Sequence, residues 1–208
     1  MTAIVTDGRR DAASHLLFAH GAGAGMDSAF LVRIAKLLAD AGLCVHRFEF
    51  AYMAARRDGG SRRPPPRAET LNGEYQAAVA QVAGSLGKGQ QLFIGGKSMG
   101  GRVASLVADA LWAKRTIAGL VCVGYPFHPV GQPAKLRTAH LQPLKCPALI
   151  VQGTRDPFGT RDEVAGYGLS PTIRVHWIEN GDHDLKGAGR GVMEGVAETI
   201  AAFAASPT

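Results

Sequence analysis

Cysteine is scarce in this sequence, and its three occurrences do not form a disulfide framework. Cys44, Cys122 and Cys146 are an odd number, and each lies in or beside an apolar run. No two of them have the spacing of a metal-binding motif, so the sequence predicts no metal and no cofactor. Buried free thiols are typical of reducing compartments, and we therefore expect a cytoplasmic protein.

Long apolar runs are also missing. No run reaches the roughly 18 residues that a membrane-spanning helix needs, and the first ten residues lack the apolar core of a signal peptide. We therefore expect no membrane partner. Hydrophobic residues make up 46% and charged residues 19% of the 208 residues, which is typical of a folded globular protein. We expect one domain spanning residues 1–208.

One short segment is unusually rich in arginine and proline. Five arginines and three consecutive prolines fall within Arg56–Arg67, in a chain with a net charge of +6. This composition predicts a loop, and its lack of interleaved aromatic residues argues against a nucleic-acid partner. Arg62 and Arg63 are candidates for binding an anionic substrate if the loop borders a pocket. A solvated loop with no binding role is the alternative.

The rest of the chain alternates short apolar runs with helical patterns. The predicted strands are His15–Ala19, Cys44–Phe50, Gln91–Gly95, Gly119–Gly124, Ala148–Gln152 and Ile173–Ile178, with a weaker one at Ala3–Thr6. The predicted helices are Phe30–Ala41, Leu71–Leu86, Met99–Leu111 and Val192–Phe203, with a shorter one at Lys135–Leu141. This alternation predicts an α/β fold with a mostly parallel sheet and helices on both faces. No insertion is long enough to form a separate lid.

The first motif with chemical meaning is Gly96-Lys97-Ser98-Met99-Gly100, which matches G-x-S-x-G. A predicted strand precedes it and a predicted helix follows it, as a nucleophile elbow requires. Ser98 is therefore predicted to occupy the apex of a sharp turn, with its hydroxyl exposed. The glycines around it are expected to leave room for neighbouring backbone.

The same residues also resemble the end of a phosphate-binding P-loop. That motif needs a glycine five residues before Gly96, where this sequence has Gln91. The apolar run Leu92–Ile94 fills the positions of the phosphate-binding loop. The sequence therefore excludes nucleotide binding at this motif.

A serine nucleophile needs a base to take its proton and an acid to orient that base. In this fold the acid follows the serine in the chain, and the histidine follows the acid. Asp156 lies just after the run Ala148–Gln152, and His183 lies in the polar turn after the last predicted strand. The loop after Gly119–Gly124 contains no Asp or Glu, which favours Asp156. We predict Ser98, Asp156 and His183 as a catalytic triad.

Backbone N–H groups of Met99 and Ala22 are predicted to form an oxyanion hole. Met99 follows the nucleophile, and Ala22 lies in the glycine-rich segment His20–Gly25 after an early strand. His20 is expected to hold this segment by hydrogen bonding rather than to act as a base.

Three further residues are candidates for lining the substrate site. Tyr125, Phe127 and His128 follow the predicted strand Gly119–Gly124 and could therefore emerge near Ser98. Packing in the core is the alternative for these side chains.

The segments Leu17–Phe30, Gly95–Ala104 and Gln152–Gly159 together resemble the α/β-hydrolase superfamily. Within it they are similar to a small lidless group related to dienelactone hydrolases. That group includes bacterial hydrolases, a testis-expressed protein and a subunit of a chromatin acetyltransferase complex. The resemblance implies a sheet of about six to eight strands without a cap domain, and the same triad. The nucleophile here is serine, whereas dienelactone hydrolases proper carry cysteine.

We therefore expect a serine hydrolase that cleaves small carboxylic esters through an acyl-enzyme on Ser98. A missing lid predicts an open, shallow pocket that favours short acyl groups. The alternative is a non-catalytic interaction module on a hydrolase fold, which the chromatin subunit illustrates.

Overall fold

The computed structural model describes residues 3–57 and 64–207, without the side chain of Arg57. Seven strands form one sheet in the order β1-β3-β2-β4-β5-β6-β7. They are β1 Ile4–Asp7, β2 Ser14–Ala19, β3 Cys44–Phe48, β4 Gln91–Lys97, β5 Gly119–Val123, β6 Ala148–Gly153 and β7 Ile173–Ile178. β1 pairs with β3 in antiparallel orientation, and the other five pairings are parallel. The predicted fold class is confirmed.

Four long helices cover the two faces of the sheet. They are α1 Ala29–Asp40, α3 Asn72–Ala83, α4 Met99–Ala113 and α6 Val192–Ala205. All four were expected from helical spacing, and the Ser28 side chain caps α1 by accepting a hydrogen bond from the Leu31 N–H. In the described part of the chain, no helix is both long enough and apolar enough to cross a membrane.

Two short helices were not expected, and the prediction of one other short helix is wrong. α2 (Ala51–Arg57) extends into the segment predicted as a loop, and α5 (Arg161–Ala165) is held by a capping box. Lys135–Leu141 forms turns instead of a helix, because the Arg137 N–H donates to the Phe127 carbonyl 2.7 Å away. That bond ties the segment to the loop after β5. The Arg137 N–H is therefore not available for a bond within a helix.

The core has two layers, one on each face of the sheet. Alternate residues of β2 show the division: Leu17 packs with α3 and α4, whereas Leu16 packs with α1 and α6. Both layers are apolar, and β3, β5 and β6 are buried along their whole length. This explains why the strands appear in the sequence as continuous apolar runs rather than as alternating ones.

The hydroxyl of Tyr75 joins α3 to the two central strands. Its oxygen lies 2.8 Å from both the nitrogen and the carbonyl oxygen of Gly95, and 3.3 Å from the carbonyl oxygen of Leu17. Tyr75 is fully buried, so no water replaces these bonds. Gly95 lies three residues before Ser98, and this contact therefore supports the strand that carries the elbow.

We predict that Tyr75→Phe lowers the free energy of unfolding by about 1–3 kcal/mol, because the Gly95 backbone loses a buried partner. Urea unfolding measures the change. Tyr167→Phe is the matched control, since the Tyr167 hydroxyl is buried without a hydrogen-bond partner and its removal costs nothing comparable. Equal losses in the two variants would contradict this account.

Candidate active site

Ser98 lies at the turn between β4 and α4 in a conformation that non-glycine residues rarely adopt. Its backbone angles are φ 52° and ψ −116°. The turn is fixed from β5, because the Ser98 N–H donates to the Val123 carbonyl at 2.9 Å. Strained backbone of this kind is held only where the surrounding structure determines it.

The expected need for glycine around Ser98 is confirmed by the close approach of other backbone. A Cβ on Gly96 would lie 2.6 Å from the Ala19 carbonyl oxygen. A Cβ on Gly100 would lie 2.6 Å from the carbonyl oxygens of both Ala19 and His20. The end of β2 therefore packs directly against the elbow.

The structure brings Ser98, His183 and Asp156 together in one chain of hydrogen bonds. The Ser98 Oγ lies 2.9 Å from Nε2 of His183, and the His183 Nδ1 lies 2.8 Å from Oδ2 of Asp156. Asp156 is fully buried, whereas the His183 side chain is 20% exposed. The three residues come from the loops after β4, β6 and β7, whose carboxyl ends share one edge of the sheet.

Gln152, at the end of β6, is a supporting residue that the sequence analysis missed. Its amide nitrogen donates to Oδ2 of Asp156 at 2.9 Å, and its amide oxygen accepts from the Tyr125 N–H at 2.7 Å. The other carboxylate oxygen of Asp156 accepts from the Phe158 N–H at 2.9 Å. These donors compensate the burial of the carboxylate. A polar residue closing an apolar strand was the available signal.

Lys97, the residue before the nucleophile, was named in the sequence only as a position of the G-x-S-x-G motif and of the rejected P-loop. Its side chain is 7% exposed, and its ammonium group donates to the His183 carbonyl oxygen at 2.8 Å. The Asp184 carboxylate lies 3.5 Å away. Burial lowers the pKa of Lys97, and the charge of Asp184 opposes that shift. Lys97 thus connects the elbow to the loop that carries His183.

The glycine-rich segment lies beside Ser98. A Cβ on Gly21 would be 3.7 Å from the Cβ of Ser98, and Ala22 lines the same cavity as Ser98. The N–H of Met99 opens α4 and has no acceptor within the helix. The expected role of His20 is confirmed, because its Nε2 accepts from the Phe50 N–H at 3.1 Å.

The prediction that Tyr125, Phe127 and His128 line the site is wrong. These residues are at most 2% exposed, and none contributes to the cavity at Ser98. After β5 the chain turns inward at Gly124, which has a φ of 62°, so the aromatic rings enter the core. The core-packing alternative was correct. Arg62 and Arg63 lie outside the described residues.

A cavity of about 910 Å³ opens at Ser98. It is bounded by residues 21–24, the beginning of α1 and the segment after His183. Its charged lining residues are Arg33, Lys97, Asp184, Lys186 and Arg190. No cap covers it in the described ranges, so the site is a cleft in a lidless α/β-hydrolase fold.

The fold and the site are typical of α/β hydrolases, and comparison with known proteins gives the family. Residues 12–205 match the family of alpha/beta hydrolase domains, and the chain belongs to that family.

Solved structures share the fold at low sequence identity. A dienelactone hydrolase from Anabaena variabilis has a TM-score of 0.74 at 22% identity, with 96% of this chain and 88% of that chain covered. A serine hydrolase without a lid from Xanthomonas campestris has a TM-score of 0.69 at 16% identity, with coverage of 94% and 86%. Est1E from Butyrivibrio proteoclasticus, with ferulic acid bound, has a TM-score of 0.72 at 14% identity, with coverage of 99% and 95%.

Proposed function

We propose that this protein is a serine hydrolase that cleaves small carboxylic esters, with Ser98 as nucleophile, His183 as base and Asp156 as orienting acid. The observation that carries the proposal is the hydrogen-bonded chain from the Ser98 hydroxyl through the His183 ring to the buried Asp156 carboxylate. The strained turn and the open cavity at Ser98 support it. Family membership supports hydrolysis as the reaction class.

In the first half of the reaction, the Ser98 Oγ attacks the ester carbonyl carbon while its proton passes to Nε2 of His183. Asp156 stabilises the resulting imidazolium through the Nδ1–H bond. The negative charge on the carbonyl oxygen is stabilised by the N–H groups of Ala22 and Met99. His183 then gives the proton to the departing alcohol oxygen, and the acyl group remains on Ser98.

In the second half, water enters from the open cavity and gives a proton to Nε2 of His183. Its oxygen attacks the acyl carbon, and the bond to the Ser98 Oγ breaks. His183 returns the proton to Ser98, and the carboxylic acid leaves.

We predict that a fluorophosphonate probe labels Ser98 covalently in the wild-type protein. Ser98→Ala removes the labelling because the acceptor oxygen is gone. His183→Ala and Asp156→Asn lower the labelling rate by about a thousandfold or more, because the base is lost or held in the wrong tautomer. Intact-protein mass spectrometry follows the reaction.

Ser105→Ala is the matched control, since the Ser105 Oγ also lies 2.8 Å from a histidine nitrogen, in His140, but is buried away from the cavity. It should label like the wild-type protein. An unlabelled wild-type protein would favour the alternative function, a non-catalytic interaction module on this fold.

The open cavity supports short, accessible acyl groups as substrates. We predict that acetyl and butyryl esters of p-nitrophenol have a higher kcat/KM than esters of long-chain acids, because no lid covers a long acyl chain. A preference for long chains would contradict the assignment.

The cations that line the cavity further favour esters that carry a carboxylate. Comparing kcat/KM for a neutral ester and a carboxylate-bearing ester of the same length tests this part separately.

Lys97 is proposed to position His183 rather than to contact the substrate. We predict that Lys97→Met lowers kcat/KM by about 10- to 100-fold, mainly through kcat, because the His183 loop loses a charged hydrogen bond worth about 1.5–3 kcal/mol. Steady-state kinetics separates the two constants.

Lys186→Met is the control, since Lys186 also pairs with Asp184 but its side chain is 77% exposed. We expect less than a twofold change in that variant. An effect of Lys97→Met confined to KM would mean that Lys97 binds the substrate instead.

We also propose a reducing, cytoplasmic location. Cys44, Cys122 and Cys146 are all free and buried, which supports this assignment.

A further inference from the structure

A cluster of three potential metal ligands lies at the edge of the sheet opposite Ser98. His15 is the second residue of β2, and Cys44 and His46 are the first and third residues of β3. In the register His15 pairs with Cys44, and also with Leu92 of β4. Six residue-to-residue steps of extended chain lead from Leu92 to Ser98, a distance of about 20 Å. The cluster is therefore separate from the candidate active site.

The side chains of these residues face the same side of the sheet. Leu16 and Val45 point into the layer with α1 and α6, so their neighbours His15, Cys44 and His46 point to the opposite face. All three are at most 6% exposed. Burying two imidazoles costs free energy that apolar side chains at the same positions would not cost.

The donor atoms lie close enough together to share one ion, and the distance from His46 to Cys44 already matches a tetrahedral zinc centre. The His46 Nε2 lies 2.9 Å from the His15 Nδ1 and 3.7 Å from the Cys44 Sγ, and one ligand atom from each residue lies within 4.8 Å of the others. With Zn–N of about 2.0–2.1 Å and Zn–S of about 2.3 Å, neighbouring ligands of zinc are about 3.3 Å (N–N) and about 3.6 Å (N–S) apart. An ion would replace the His15–His46 hydrogen bond, and the distance between those two nitrogens would increase by about half an ångström.

The surroundings orient one of the ligands. The Thr6 hydroxyl of β1 lies 3.2 Å from Nδ1 of His46, which turns Nε2 toward His15 and Cys44. Histidines that bind zinc commonly donate their second N–H to such an oxygen.

We propose that His15, Cys44 and His46 bind one Zn²⁺ ion in a site that joins β2 to β3. Neutral imidazole and thiolate are donors that bind Zn²⁺ in preference to Mg²⁺ or Ca²⁺. On binding, the Cys44 thiol releases its proton to solvent and its sulfur forms the bond to the metal. The described residues supply three ligands, and water takes the fourth position.

Cobalt is the probe, because a Co²⁺–thiolate bond gives a charge-transfer band in the near ultraviolet. We expect the untagged, chelator-treated chain to bind one equivalent of Co²⁺ with this band, and Zn²⁺ to displace it. Zn²⁺ should also raise Tm by several degrees at about a hundredfold excess over Kd.

Matched cysteine variants assign the sulfur. The double variant Cys122→Ala/Cys146→Ala leaves Cys44 as the only thiol and should keep the band, whereas Cys44→Ala should lose it. Thr6→Val should weaken Co²⁺ binding by about 10- to 100-fold through the lost hydrogen bond to His46. A wild-type protein without the band, or a band that survives in Cys44→Ala, would overturn the proposal. Because the wild-type spectrum decides on its own, misfolding of a variant does not affect the test.

Discussion

The close approach of three strands at the turn after β4 is the constraint on which the rest of the site depends. Ser98 can adopt its positive φ only because β2 and β5 hold the turn from both sides, with Ala19 against the glycines and Val123 accepting from the Ser98 N–H. Each neighbour is itself fixed by the parallel register of the sheet. The strain at one residue is thus balanced by packing that extends through the whole core.

The same register explains why residues distant in the chain meet. The loops after β4, β6 and β7 leave the sheet at one edge, and they carry Ser98, Asp156 and His183. Because β4, β5 and β6 are almost entirely buried and β7 pairs with β6, the spacing of these loops is determined by strand separation rather than by loop conformation. The loops need only be long enough to turn their polar side chains toward one point.

Much of this could be predicted from the sequence, because strands buried on both faces leave continuous apolar runs and the elbow leaves a local motif. Six strands and the four long helices were found from such patterns, and β1 was found only from a weaker one. Tyr125 and Phe127 were misplaced because a position after a strand does not say which way the chain turns next. Gly124 and the amide of Gln152 decide that turn, and both act through contacts between distant residues.

The roles of Lys97 and of the His15–Cys44–His46 cluster were hidden for a related reason. Lys97 acts on a carbonyl 86 residues away, which no local pattern records. The cluster joins two strands whose pairing depends on the sheet, so its members have no motif spacing along the chain. Contacts across parallel strands are the part of a fold that sequence periodicity describes least well.

The bond from Lys97 to the His183 carbonyl has a consequence for the shape of the cleft. Residues 184–191 form a long connection without helix or strand, and most of them line the cavity at Ser98. The ammonium group of Lys97, one residue before Ser98, holds the backbone where this connection begins. A substitution in residues 185–191 can therefore change the shape of the cleft without removing the contact that ties the His183 backbone to the elbow.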